Sequence, residues 1–404
     1  MQKKIIALAV AGLASGAALA QTNVTIYGIA DAAYVYSSGD PGNTRGVAGS
    51  PGVGINGTNT FSGIQSGMLS GSRLGFKGEE ALGNGLKAVF TLEYSLAIDN
   101  NTGVGSTGNL NARQQFVGLS SDKLGTASLG RQYAPGYQAQ INNDAFAGAT
   151  FSPVSLLSAQ AGNSIQGGSN ARWNNAIAYT SPNWSGFTAK AIYSFGENSS
   201  GGYNNTGTSD NGQFGIGGNY ANGGLNIDLV YQSLQNAQST YSYASIPGYA
   251  SLNPLGGSSG AWSVMGTGAD VNSYYVGGSY DFKMVKIMGS WQQQNDKNLA
   301  NLDNSVWQVG ANIPVMAASN IMLTYAQLDW DMGSRGLFGT GGLTNKSQSA
   351  GVAWTTALSK RTTAYAGYVW MANDKNSSAN AVVSGIGAVN EDNNTFLAGL
   401  RHSF

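Results

Sequence analysis

Apolar and polar residues alternate one by one along most of the chain. In GLKAVFTLEYSL, Ala88, Phe90, Leu92, Tyr94 and Leu96 alternate with Lys87, Thr91, Glu93 and Ser95. In GFTAKAIYSF, Phe187, Ala189, Ala191, Tyr193 and Phe195 alternate with Thr188, Lys190 and Ser194. GLNIDLVYQS and MVKIMGSWQQ repeat the pattern, and TFLAGLRHSF sets Phe396, Ala398, Leu400, His402 and Phe404 against Thr395, Gly399, Arg401 and Ser403. A period of two places one greasy and one wet face on each strand. No long helical period is evident.

The strands are separated by two kinds of break. Short ones read LGNG (82–85), SSDKLG (120–125), SPNWSG (181–186), ANGG (221–224), DFKM (281–284), MAAS (316–319) and LSKR (358–361), turn-like in length and mostly in composition. Between them lie longer Gly/Ser/Asn-rich stretches near 39–65, 99–110, 133–170, 197–212, 235–269, 297–303, 331–345 and 375–390. Seven short and eight long connections predict sixteen strands. An even strand number with short turns at one end and long loops at the other points to an all-β, antiparallel transmembrane barrel. In lipid every backbone N–H and C=O must be paired within the protein, so such a sheet closes on itself. The final strand should therefore meet the first, TNVTIYGIADAAYVY, with Phe404 in the periplasmic aromatic girdle.

Composition agrees. Gly is 59 of 404 residues and Tyr 20, yet Pro is only 8 and charged residues 10%. Beyond the N-terminus no apolar run reaches the roughly 18 residues of a helical span. The opening MQKKIIALAVAGLASGAALA has a basic start, an apolar stretch and an A-x-A site, so residues 1–20 read as a secretory signal peptide and 21–404 as the barrel domain. Losing Lys3 and Lys4 takes 20 basic and 20 acidic residues to 18 and 20. A near-neutral chain lacks the basic excess of a nucleic-acid binder.

Catalytic chemistry finds little footing. There is no Cys, and the one histidine, His402, lies on an apolar strand face. That removes His-based triads, thiol nucleophiles and ordinary zinc sites. Glu79 and Glu80 are adjacent in a strand and point to opposite faces. GVGING (52–57) matches a nucleotide-loop spacing by chance, with no helix after it. No enzyme, metal or cofactor is expected.

Six segments together resemble the Gram-negative porin family of β-proteobacterial type: VTIYGIADAAY, SGSRLGFKGEEALGNGLKAVFTLE, RQQFVGLSSDKLGTASLGRQYAPGY, RWNNAIAYTSPNWSGFTAKAIYSFGE, LSKRTTAYAGYVW and LAGLRHSF. The resemblance spans the chain after the signal. It implies a homotrimeric sixteen-stranded barrel in the outer membrane that passes small hydrophilic solutes passively. Its third loop, here 133–170, would fold into the lumen. Phe404 resembles the recognition signal for the barrel-assembly machinery, reached with periplasmic chaperones.

A channel of this kind works by size and electrostatics at a constriction. Alternation turns Arg73, Lys77, Lys87 and Glu93 inward, and Arg172 with Asn174 opposite Ile177 and Tyr179. Arg113 lies on a strand that alternates poorly and is also placed inward. Arg73, Arg113 and Arg172 match the basic wall of the family's pore. Arg131 matches a further family position; simple alternation from Leu129 turns it toward lipid, so a bulge or strand end is expected there. In the family the third loop answers the basic wall with acids near a PEFGG-like segment. Here that piece reads NDAFAG, leaving Asp144 as the loop's sole acid. The expected field is lopsided toward positive, giving a mild anion preference. Three other readings remain: a β-solenoid adhesin, which would show a fixed repeat; an eighteen-stranded sugar porin; and an autotransporter translocator, for which no passenger domain is evident.

Overall fold

Sixteen antiparallel strands close into one barrel among the described residues of the computed structural model. These residues are 23–39, 59–100, 111–196, 211–237, 240–243, 262–265, 268–298, 302–332, 343–374 and 392–404. The expected signal peptide at 1–20 and most of the expected long loops other than 133–170 lie outside them. Consecutive strands pair as neighbours around the wall, and the strand Asn23–Gly39 closes it against Asp392–Ser403, from Ile29 opposite Ser403 to Gly39 opposite Asn393. The seam ends on Phe404. Its N–H donates to Gly28 O at 3.1 Å, and Gly28 N–H donates to Phe404 O at 3.0 Å. A Cβ on residue 28 would sit 2.3 Å from the Phe404 ring, so only glycine fits beneath it.

All seven short breaks are turns between paired strands. The first has Asn84 and Gly85 at φ of 51° and 76°, the positive pair that matches the twist of a two-residue hairpin.

Two expected loops contain strands. Residues 240–265 carry a small separate hairpin, Thr240–Tyr243 with Trp262–Met265. More consequentially, Asn59–Ser66 is a strand on the upper half of Asn23–Gly39, while Arg73–Gly83 pairs with its lower half. These two pieces form a single wall position, interrupted at 67–72. The interruption begins where Gly67 takes a positive φ of 74°.

Outward residues form an exposed apolar band that includes Ile26, Val117, Leu129, Leu229 and Val309. Aromatic residues flank it at both ends: Tyr34, Tyr274 and Phe396 on the loop side, Trp184, Tyr220, Phe282 and Phe404 on the turn side. This is the girdled outer face of a membrane barrel. The packed core lies inside. Segment 133–170 enters the lumen as two short helices, α1 (Pro135–Asn142) and α2 (Pro153–Gln160), each started by a proline in its first turn, where a missing N–H costs nothing. Val154, Leu157 and Ala161 pack on Val306, Ala326, Leu328 and Met371 of the wall. Phe146 and Phe151 pack with Met288, Met322, Ala353 and Tyr365. Small residues make room for this path: a Cβ at Gly351 would lie 2.9 Å from the Phe146 ring, and one at Gly217 would lie 2.7 Å from Pro135.

Candidate functional site

The inner faces of the strands Arg73–Gly83, Leu86–Ser95 and Ala112–Ser121 carry most of the lumenal charges expected from sequence. Their centre is Glu93. Arg113 Nε donates to Glu93 Oε1 at 2.7 Å, Arg73 Nη1 lies 3.7 Å from Oε2, and the Tyr27 hydroxyl donates to Oε2 at 3.1 Å. A carboxylate between two guanidiniums forms short, charge-assisted bonds. Arg113 reaches it through a bulge. Glu93 pairs with Gln114 but Tyr94 pairs with Ala112, leaving Arg113 as the extra residue. Simple parity from Val117 would turn Arg113 toward lipid, and the bulge turns it inward instead.

Tyrosines extend the cluster. Arg113 Nη2 donates to the Tyr133 hydroxyl at 2.8 Å, and the Arg172 guanidinium lies 5.2 Å from the Tyr133 ring centroid. Tyr137, in the first turn of α1, stacks on Tyr133 at 3.6 Å. Lys190 Nζ donates to Tyr133 O. The three arginines therefore form a chain, Arg73–Glu93–Arg113–Tyr133–Arg172, with one carboxylate for three guanidiniums. Their exposures differ. The Arg113 side chain is 7% exposed and that of Arg73 18%. Arg113 acts mainly as the buried partner of Glu93, while Arg73 and the half-buried Arg172 carry the surplus positive charge toward solvent.

Other expected site residues lie elsewhere. Lys77 stands next to the cluster, its Nζ 5.4 Å from the Tyr27 ring centroid. Lys87 sits at the turn end of its strand and pairs with Glu79 at 3.2 Å, away from the arginines. The register shifts at Arg131, where Gly130 pairs with Ala176 and Gln132 with Trp173, so the extra residue lies on the opposing strand, at Asn174 and Asn175. The Arg131 guanidinium donates to Ala112 O, Arg172 O and the Asn174 side chain. Arg131 thus braces backbone at the strand ends and is not part of the Glu93 cluster. Asn174 is exposed, and the same bulge breaks the parity that linked it to Ile177.

The expectation for Asp144 is corrected. Its carboxylate accepts from Phe146 N–H at 3.0 Å, Gly148 N–H at 2.8 Å and the Ser152 hydroxyl at 2.7 Å, all within its own loop. Burial pushes its carboxyl upward, and those three donors pull it back. The side chain is consumed in shaping the loop, so the acid that answers the arginines is Glu93. Tyr27 could have been found from the alternation of the first strand. Tyr133 and Tyr137 carried no such signal, because their positions depend on where the loop turns inward.

The model of the family described as Gram-negative porin matches residues 7–376. The chain belongs to the Gram-negative porin family. It is 30% identical to an outer membrane porin protein of Bordetella pertussis, over 91% of this chain and 93% of that protein. It is 28% identical to outer membrane porin protein 32 of Delftia acidovorans across the full length of both. Among solved structures, the anion-selective porin from Comamonas acidovorans superposes with a TM-score of 0.72 at 24% identity, covering 95% of this chain and 100% of that one. Salmonella typhi OmpF gives 0.60 at 16% identity, covering 94% and 97%. This porin is therefore an integral outer-membrane β-barrel with the architecture of a channel.

Proposed function

We propose that this porin is a passive diffusion channel for small hydrophilic solutes and ions, with a basic constriction that mildly favours anions. The observation that carries the reading is the single carboxylate, Glu93, set among Arg73, Arg113 and Arg172. The helical loop packs against the far wall and leaves its own acid, Asp144, turned inward on itself. Surplus guanidinium charge in a narrow, partly desolvated passage lowers the barrier for anions and raises it for cations. The name of the Comamonas acidovorans neighbour supports the same sign. The barrel is read as a homotrimer, exported behind the signal peptide at 1–20 and assembled with Phe404 as the recognition residue.

The test is single-channel recording of the purified protein in a planar bilayer under a salt gradient. Conductance steps in threes with an anion-side reversal potential are expected. A cation-side potential would overturn the basic constriction. No conductance from folded, inserted protein would overturn the channel and favour a β-rich adhesin.

A further inference from the structure

The six-residue interruption at 67–72 faces a fully buried acid. Asp31, on the inner face of the first strand, is 0% exposed. Its Oδ1 accepts from Met68 N–H at 3.2 Å and from the Tyr365 hydroxyl at 2.5 Å, and its Oδ2 accepts from Ser70 N–H at 2.8 Å. Its main chain joins in. Asp31 O accepts from Gly67 N–H at 2.8 Å and from the Ser72 hydroxyl at 2.9 Å, and Asp31 N–H donates to Ser72 Oγ at 3.0 Å. Across the seam Asp31 pairs in register with Arg401. A buried carboxylate is tolerated only where donors are held against it. Here two of the three donors are backbone N–H groups of the interruption itself, and the third is the Tyr365 hydroxyl.

The interruption in turn holds both sides of the pore. Toward the loop, Thr150 N–H donates to Met68 O at 3.0 Å and its hydroxyl donates to Gly67 O at 2.7 Å. The Tyr365 ring stacks on Phe151 with centroids 6.4 Å apart. Toward the basic wall, Arg73 Nε donates to Gly71 O at 2.9 Å, and a Cβ at Gly71 would lie 3.0 Å from Arg113 Nη1.

We propose that Asp31 is a positioning residue for the constriction: it fastens the 67–72 bracket, and the bracket fixes the separation between the inserted loop and the arginine wall. The inference rests on reading this site as the constriction. Loss of the Asp31 carboxylate leaves the barrel seam paired but frees the bracket, so the loop samples a second position.

The test is the steadiness of the open-channel current for Asp31→Asn, alongside strand content and resistance to denaturant. An amide keeps one acceptor oxygen but sets an NH2 donor against the donors that faced the other, so the bracket loses one charge-assisted bond. The expected result is unchanged strand content and about a tenfold rise in time spent at a second conductance level, the factor that loss of one charge-assisted bond gives. Thr150→Val removes the hydroxyl that donates to Gly67 O from the loop side and should flicker in the same way, whereas Thr150→Ser keeps that donor and should stay quiet. A steady current in Asp31→Asn, or equal flicker in Thr150→Ser, overturns the proposal. If Asp31→Asn does not fold, Thr150→Val carries the test: it should flicker, and a steady current would overturn the inference. Current steadiness is independent of ion preference, so a wrong sign of the wild-type reversal potential would defeat the anion reading and leave this inference standing.

Discussion

Two walls of one barrel obey the same alternation and do opposite things with it. On Arg73–Gly83, Leu86–Ser95 and Ala112–Ser121, the inward positions are long and charged: Arg73, Lys77, Glu79, Lys87, Glu93 and Arg113. On the far side, Asp228 and Lys286 apart, the inward positions that meet the loop are small, amidic or apolar, among them Gly217, Gln292, Gln308, Ala326 and Gly351. The charged wall keeps water and solute against it. The small-residue wall receives two helices and a run of buried phenylalanines. Alternation decides which residues face in, and their size and charge decide what they face.

The amide contacts on the loop-covered side reinforce the contrast. Asp228 accepts from Asn142, Asn143, Asn219 and Asn226, and Gln292 donates to Ser158 at 2.6 Å. The loop is thus docked largely by neutral donors on one side, while the opposing wall is organised by full charges.

Removing charge from the buried part of the basic wall should have the largest effect. Arg113→Ala leaves Glu93 with one distant guanidinium, and breaking a buried pair costs about 3–5 kcal/mol. Denaturant unfolding in detergent should show that loss, and a change under about 1 kcal/mol would mean the pair is more solvated than its burial implies. On the covered wall, Gly351→Val drives a side chain into Phe146. Overpacking should cost about 1–3 kcal/mol and lower conductance by pushing the loop off its wall toward the arginines. Unchanged conductance would show that the loop yields without moving. The smallest effect belongs to Lys87→Ala. Its partner Glu79 is 56% exposed, so less than about 1 kcal/mol is at stake, with no change in reversal potential. A marked shift would place the constriction nearer the turn end than the Glu93 cluster.

Much of this was legible in the sequence, for a specific reason. Strand faces and tight turns are set by near neighbours, so LGNG and DFKM announce themselves and Arg73, Lys77 and Glu93 can be assigned inward by parity. Parity fails wherever a residue is inserted. Arg113 and Asn174 sit at bulges, Arg131 lies opposite one, and Asn59–Ser66 hid in a Gly-rich stretch because the same wall position resumes, as Arg73–Gly83, only after the interruption at 67–72. The role of Asp144 is not legible in the sequence because it depends on the local fold of the loop: a free acid at the lumen and one capping its own turn look identical in NDAFAG. Asp31 gave no sign beyond being an acid in an apolar strand.

The decisive measurement is the reversal potential under a salt gradient for two variants that each remove one lumenal positive charge. Arg172→Gln acts on the basic wall. Lys286→Gln acts on the far wall, beneath the loop, where Lys286 lines a cavity of about 300 Å³ with Asn142, Asn226 and Asn312. If the arginine cluster sets ion preference, Arg172→Gln should move the potential several-fold further toward the cation side than Lys286→Gln. Equal shifts, or a larger one from Lys286→Gln, would contradict it.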